Sequence, residues 1–145
     1  MEILNRQASH NYFITDTIEA GISLTGTEIK SIRNGKCNIK DSYAIVKNNE
    51  VYLLNAHISH YEQGNIFNHE ETRTRKLLLH KKEIFKLRDK IEMEGYTLIP
   101  LKIYFKKGLA KVSLGVCKGK HNYDKKEALK EKDIARELAK ESRYR

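Results

Sequence analysis

The stretch Ile18-Glu19-Ala20-Gly21-Ile22-Ser23-Leu24-Thr25-Gly26-Thr27-Glu28-Ile29-Lys30-Ser31-Ile32-Arg33-Asn34-Gly35 changes its period halfway along. As far as Leu24, the apolar residues Ile18, Ala20, Ile22 and Leu24 alternate with polar or small neighbours, which is the signature of a half-buried strand. Thr25-Gly26-Thr27-Glu28 then spells a capping box. The Thr25 hydroxyl can accept from the Glu28 amide while the Glu28 carboxylate reaches back to the Thr25 amide, and Leu24 and Ile29 stand where a hydrophobic staple would close the entry. A short helix over 26–34 follows, burying Ile29 and Ile32 and stopping at Gly35, the residue best able to turn left-handed after a helix.

On either side of this switch the chain reads mostly as strands. Tyr12 to Leu24 is one long strand. Ser42–Val46 and Val51–Leu54 flank Lys47-Asn48-Asn49-Glu50, and Asn tolerates the positive φ of a tight hairpin turn. Residues 56–72 lack periodicity and read as an exposed loop before a strand from Arg73 to Leu79. From Lys81, the residues Ile84, Leu87 and Ile91 recur at helical spacing until Gly95. Tyr96–Phe105 and Leu109–Cys117 form a last hairpin across Lys106-Lys107-Gly108, with Pro100 marking an edge position or a bulge. Hairpins with one helix between early strands and another before the last pair predict a mainly β fold, an antiparallel OB-like β-barrel with two short helices. It ends in the stretch Val116 to Lys126, where large apolar residues give out. The expected division is a barrel over 1–120 and a basic, charged tail over 121–145.

With 145 residues and 39% hydrophobic content, the chain can fill one core if the tail is left out. The net charge of +9 is shared between the two parts: residues 118–145 carry ten Lys and Arg against six Asp and Glu. Both parts favour a polyanionic partner, and the interleaved acids argue against a polybasic membrane anchor. Cys37 and Cys117 lie far apart in or beside apolar patterns, so reduced thiols are expected rather than a disulfide framework. No apolar run is long enough to span a bilayer, and Met1-Glu2-Ile3-Leu4-Asn5-Arg6 lacks a secretory core, so a cytoplasmic protein is expected.

Catalytic signatures are missing: there is no Gly-rich phosphate loop, nucleophile elbow or HExxH motif. His57 and His60 are spaced three apart with His69 beyond them, but on a strand that spacing faces opposite sides, so no metal site or cofactor is expected. The acids are scattered singly, which disfavours a metal-dependent nuclease. Arg73 and Arg75 share one face by the two-residue period. That arrangement suits phosphate oxygens, and it equally suits an edge strand guarded by charge. On the first helix, Glu28, Lys30 and Arg33 read as a solvated face.

Four blocks carry a resemblance. Gly21 to Arg33, Gly35-Lys36-Cys37-Asn38-Ile39-Lys40-Asp41-Ser42-Tyr43, Arg73-Thr74-Arg75-Lys76-Leu77-Leu78-Leu79, and Lys118-Gly119-Lys120 with Tyr123-Asp124-Lys125-Lys126 resemble the SsrA-binding protein family, also called small protein B. The resemblance runs in order over most of the chain. It implies a non-enzymatic RNA-binding adaptor that holds the tRNA-like domain of transfer-messenger RNA and delivers it to stalled bacterial ribosomes for trans-translation. Carried over onto this sequence, it implies an RNA-facing set of Asn5, Glu28, Lys30, Arg33, Arg73, Arg75, Lys118 and Lys120. It also implies that the tail, helical when bound, enters the decoding centre of the small subunit and the empty message channel, with Tyr123, Asp124, Lys125 and Lys126 at the decoding centre. The family's usual Asp-Lys-Arg is Asp124-Lys125-Lys126 here, which lacks the planar fork of Arg. Monomeric action without a membrane is expected. The alternative is a general barrel for single-stranded nucleic acid that stacks bases on sheet aromatics. Glu28→Gln keeps the shape of the capping box, so little change in stability is expected, while the RNA-facing role that the resemblance implies for Glu28 predicts weaker RNA binding.

Overall fold

The period switch is a real strand-to-helix transition in the computed structural model, which describes residues 2–63 and 68–120. Strand β2 (Tyr12–Ile22) leads into helix α2 (Gly26–Arg33) through the capping box: the Thr25 hydroxyl accepts from the Glu28 amide at 3.4 Å, and Glu28 Oε1 accepts from the Thr25 amide at 2.9 Å. The helix ends in two reverse bonds, from the Gly35 amide to the Ile32 carbonyl and from the Lys36 amide to the Ser31 carbonyl. Gly35 takes φ +73°, where a Cβ would be penalised.

The other elements are β1 (Glu2–Leu4), α1 (Ala8–Asn11), β3 (Cys37–Asn38), β4 (Tyr43–Lys47), β5 (Glu50–Leu54), β6 (His57–Ile58), β7 (Arg75–Leu78), α3 (Lys81–Glu94), β8 (Thr97–Lys106) and β9 (Leu109–Gly119). Seven strands form one antiparallel sheet in the order β1-β8-β4-β5-β7-β2-β9, while β3 and β6 make a small separate pair. Because β9 pairs with β8 as well as β2, the hydrogen-bonded circuit through β8, β4, β5, β7, β2 and β9 returns to its start. Inside this ring lie Ala20, Val51, Leu53, Leu77, Leu98, Ile103, Val112 and Leu114. Helix α2 adds Ile32, and α3 adds the stripe Ile84, Leu87 and Ile91. Each such large aliphatic side chain contributes roughly 1.5–3 kcal/mol by leaving water.

Turn chemistry sets the register. The β4–β5 turn places Asn48 and Asn49 at φ 53° and 60°, and the β8–β9 turn places Lys107 and Gly108 at 53° and 80°. Both are the left-handed pairs that suit the twist of two-residue hairpins. Pro100 marks a bulge: the β8–β9 register shifts between Pro100 and Lys102. Gly115 on β9 is needed for space rather than conformation. A Cβ there would lie 3.0 Å from both Cys117 Sγ and Leu101 Cδ2. Gly115→Ala is expected to cost about 1–3 kcal/mol by overpacking, read from the denaturant midpoint. An unchanged midpoint would show that Leu101 yields freely.

Several expectations need correction. The strand expected from Arg73 begins at Arg75, since Arg73 is in a turn whose amide bonds to the Glu70 carbonyl. The described residues hold three helices rather than two, α1 being a single four-residue turn without apolar period and α3 running to fourteen residues. Within the expected loop, His57–Ile58 pairs with Cys37–Asn38. Cys37 and Cys117 are free, and burial pushes both thiols up to about 11, so they stay protonated and unreactive at neutral pH. The expectations for Tyr123, Asp124, Lys125, Lys126 and the helical tail lie outside the described residues.

Candidate nucleic-acid interface

The two-residue period that buries Ala20, Val112 and Ile103 turns their neighbours outward on the same strands. Cross-strand register lines these up: Leu78 on β7, Gly21 on β2, Lys111 on β9, Tyr104 on β8 and Glu2 on β1 form one row. Beside it runs a second row of Glu19, Ser113, Lys102 and Leu4. Leu78 is 52% exposed, and Gly21 puts no side chain between it and Lys111. Leu78 itself leans over Gly21, where a Cβ would come within 3.2 Å of the Leu78 Cβ, and a large apolar side chain left this exposed is a contact surface rather than a core element.

Glu19 is the acid in this basic neighbourhood. It accepts a short hydrogen bond from the Tyr104 hydroxyl, and Lys106 Nζ lies 3.6 Å from it. The Tyr104 bond, with help from Lys106 and Lys111, holds the Glu19 carboxyl below the usual range. Burial and the bond to Glu19 push the Tyr104 phenol up to about 12. At neutral pH the face therefore presents a fixed carboxylate acceptor flanked by ammonium groups. Glu19, Tyr104 and Lys111 did not stand out in the sequence, and Gly21 and Leu78 entered only as members of the resembling blocks, not as site residues. Their local signal is only that they occupy the outward positions of strands, and their grouping depends on register across residues 19 to 111.

Glu28 lies elsewhere, under the sheet. It is 0% exposed, and its two oxygens are shared by two guanidinium groups: Arg73 Nη2 at 2.6 Å and Arg75 Nε at 2.6 Å. Arg75 is also fully buried and donates to the carbonyls of Ala56, Glu70 and Glu71. Burial pushes the Glu28 carboxyl up, but hydrogen bonds from Arg73, the Thr25 amide and Arg75 outweigh it and leave it below the ordinary value. Glu28 and Arg75, expected on the RNA-facing side, thus have no surface to offer a partner. They tie α2 to β7 and to the loop before it. Asn5 is also inward: its amide nitrogen donates to the carbonyls of Ile39 and Pro100 at 3.3 and 2.9 Å, and its Oδ1 is buried without a partner among the described residues.

The basic residues expected together are spread apart. Arg33 stacks its guanidinium on Phe105, 4.3 Å from the ring centre, at the β8–β9 turn end. Lys118 lies over Tyr96, and Lys120 lies over Phe13 while donating to the Ser9 carbonyl, at the other end of β9. Phe105 pairs with Ala110, so the eight residues to Lys118 put the two ends about 26 Å apart. Lys30 is over Tyr61. The histidines serve the loop: His69 bridges the Thr27 hydroxyl and the Ile58 carbonyl at 2.8 Å each, and His57 lies 3.4 Å from Glu71.

Comparison with known proteins adds the following. The profile of the family described as SmpB protein matches residues 2–144. The SsrA-binding protein of Shouchella clausii is 61% identical over 134 residues, covering 92% of this chain and 86% of its own. That of Staphylococcus aureus is 60% identical over 141 residues, covering 97% and 92%. A solved structure described as "tmRNA-SmpB: a journey to the center of the bacterial ribosome" contains a chain of 46% identity that superposes with a TM-score of 0.72, covering 95% of this chain and 96% of that one.

Proposed function

Since the chain belongs to the SmpB protein family, we infer that it is the RNA-binding adaptor that carries transfer-messenger RNA to stalled ribosomes for trans-translation. The observation that carries this is the match over residues 2–144, supported by a structural neighbour of 46% identity from a tmRNA–SmpB ribosome study. In this reading the closed strand circuit is an OB-like barrel, and residues 1–120 hold the tRNA-like domain. The segment 121–145 reaches the small-subunit decoding centre and message channel, where it becomes helical, with Tyr123, Asp124, Lys125 and Lys126 in contact. The protein works as a monomer in the cytoplasm and performs no catalysis.

The outer rows are the best candidate surface for the RNA. Lys106 and Lys111 suit phosphate oxygens, and the Glu19 carboxylate suits amino groups of unpaired bases or a ribose 2′-hydroxyl. Leu78, 52% exposed and packed over Gly21, suits the flat face of a sugar or base. Exposed Lys30 and Arg33, together with Lys118 and Lys120 at the far end, extend the positive field. The general single-strand reading is weakened by three aromatic rings at β8 that carry cations: Lys102 over Tyr104, Arg33 over Phe105, and both Lys90 and Lys118 over Tyr96. A stacking platform needs bare ring faces.

A filter-binding titration over salt tests the reading. Affinity should fall with a log-log slope of about 0.7–0.9 per phosphate neutralised, while a folded tRNA-like RNA should outcompete an unstructured RNA of equal length at every salt concentration. Equal affinity for the two RNAs would remove shape recognition and with it the adaptor reading.

A further inference from the structure

Helix α3 sorts its outward charges by sign, and against its own dipole. Lys81, Lys82 and Lys86 occupy the first half, Asp89, Glu92 and Glu94 the second, and the last turn holds no base. The partial charges at helix ends favour the reverse order, with acids first and bases last. Only Glu83, which accepts from the His80 amide, complements the dipole. Arg88 and Lys90 are half-buried on the flanks, lying over Phe85 and Tyr96. The sorted charges are also unspent: none of them is in an ion pair among the described residues.

The same face carries apolar side chains in water. Met93 is 81% exposed, more than any other large apolar residue described, and Phe85 is 41% exposed. Lys82, Lys86, Asp89 and Met93 follow at helical steps of four, three and four, with Phe85 and Glu92 beside them, so they lie opposite the buried Ile84, Leu87 and Ile91. On a chain of net charge +9, α3 holds five bases against four acids. It is therefore a poor surface for phosphates and the one on which two copies of this basic chain repel each other little.

The order of signs makes the face self-complementary. If two copies of α3 lie antiparallel about a two-fold axis crossing midway between Leu87 and Arg88, Lys86 of one copy meets Asp89 of the other, and Lys82 meets Glu92. Symmetry makes each pair twice. Met93 then lies over the methylene stem of Lys81, and the two Phe85 rings flank the axis.

We propose that the free protein pairs with a second copy of itself through the outer face of α3, antiparallel, with Lys82–Glu92 and Lys86–Asp89 as the ion pairs that set the register. A fourteen-residue helix is about 21 Å long, and one face of it buries less than the roughly 800 Å² per partner of a stable complex. The pair is accordingly weak and forms at high concentration, and the monomer remains the working form at dilution. The proposal is independent of the adaptor reading.

The experiment is sedimentation equilibrium of the full chain, freed of nucleic acid, from about 1 µM to 1 mM. The mean mass should climb from 16.9 kDa toward twice that value, and at about 1 M salt, where the screening length is near 3 Å, the climb should shift to several-fold higher concentration. Two double variants reverse one half of the face each: Lys82→Glu with Lys86→Glu, and Asp89→Lys with Glu92→Lys. Each sets like charge against like and should stay at 16.9 kDa throughout, the first of them despite a lower net charge than the wild type. Each also brings a charge into an end turn with the sign the dipole favours, so unfolding midpoints should not fall, and loss of pairing cannot be traced to loss of fold. An equal mixture of the two variants should regain the wild-type climb, because every new Glu of one then faces a new Lys of the other. A wild-type protein that stays at 16.9 kDa overturns the proposal and leaves the face to a different partner. Pairing that survives in either variant places the contact on another surface, and a mixture that fails to pair rules out the antiparallel register; either result overturns the proposal.

Discussion

Glu28→Gln is expected to lose about 3–5 kcal/mol of folding stability. The cap alone does not suggest this, because Gln keeps the shape of the capping box and could still accept from the Thr25 amide. The loss comes from behind the cap. Arg75 is fully buried, and Glu28 is its only anionic partner among the described ion pairs, so a neutral amide leaves an uncompensated cation in the core. Arg73, partly in water, tolerates the change better. The expectation of a nearly stable Glu28→Gln variant with a selective RNA defect is therefore replaced by one of a destabilised variant whose RNA defect follows its unfolding.

Acid should narrow the difference. The folded-state pKa of Glu28 is lowered despite burial, so its contribution is fully present above the ordinary glutamate value of 4.5 and is lost as pH falls through the lower folded value. Urea unfolding at pH 7 and again near pH 3 should show a large gap between wild type and variant at the first pH and a smaller one at the second. A gap below about 1 kcal/mol at pH 7 would mean that Arg75 finds water or another partner when the carboxylate is removed.

Truncation after Lys120 is expected to abolish tagging on stalled ribosomes while leaving the affinity for isolated tRNA-like RNA and the unfolding midpoint close to wild type. Among the described residues, which end at Lys120, the last buried core positions are Val116 and Cys117. The removed segment carries a helix start at Asp124 with Glu127 three residues on. It also sets like charges four apart at Lys126 and Lys130, Glu127 and Glu131, Lys132 and Arg136, Asp133 and Glu137, Arg136 and Lys140, and Glu137 and Glu141. Each such pair costs about 0.2–0.5 kcal/mol, partly offset by Glu127 with Lys130 and Glu137 with Lys140. Only Ile134 and Leu138 offer a common apolar face. A helix encoded this weakly is expected to need a partner, and the proposed one, ribosomal RNA, would neutralise its Lys and Arg rows. The check pairs an RNA titration with a reconstituted tagging reaction on ribosomes stalled without a stop codon. Loss of RNA binding, or normal tagging, would relocate the function of the tail.

Local chemistry determined which segments are strands and which are helices. The change of period at Leu24, the capping box, the Asn48-Asn49 and Lys107-Gly108 turns, and the α3 stripe of Ile84, Leu87 and Ile91 all act between near neighbours, so a reader of the sequence sees both partners at once. Family membership was also written in the chain, in blocks spread from Gly21 to Lys126. What the sequence could not determine is which way polar side chains face once strands distant in the chain meet. Glu28, Lys30 and Arg33 look alike on a helix of eight residues, yet Glu28 is drawn inward because Arg73 and Arg75, forty-five and forty-seven residues away, supply its counter-charges. Glu19, Leu78, Tyr104 and Lys111 became neighbours only when β7, β2, β9 and β8 paired in one register. A strand's period states that alternate residues share a face, but the face acquires chemical meaning only from the strands beside it, and that pairing is a property of the closed sheet.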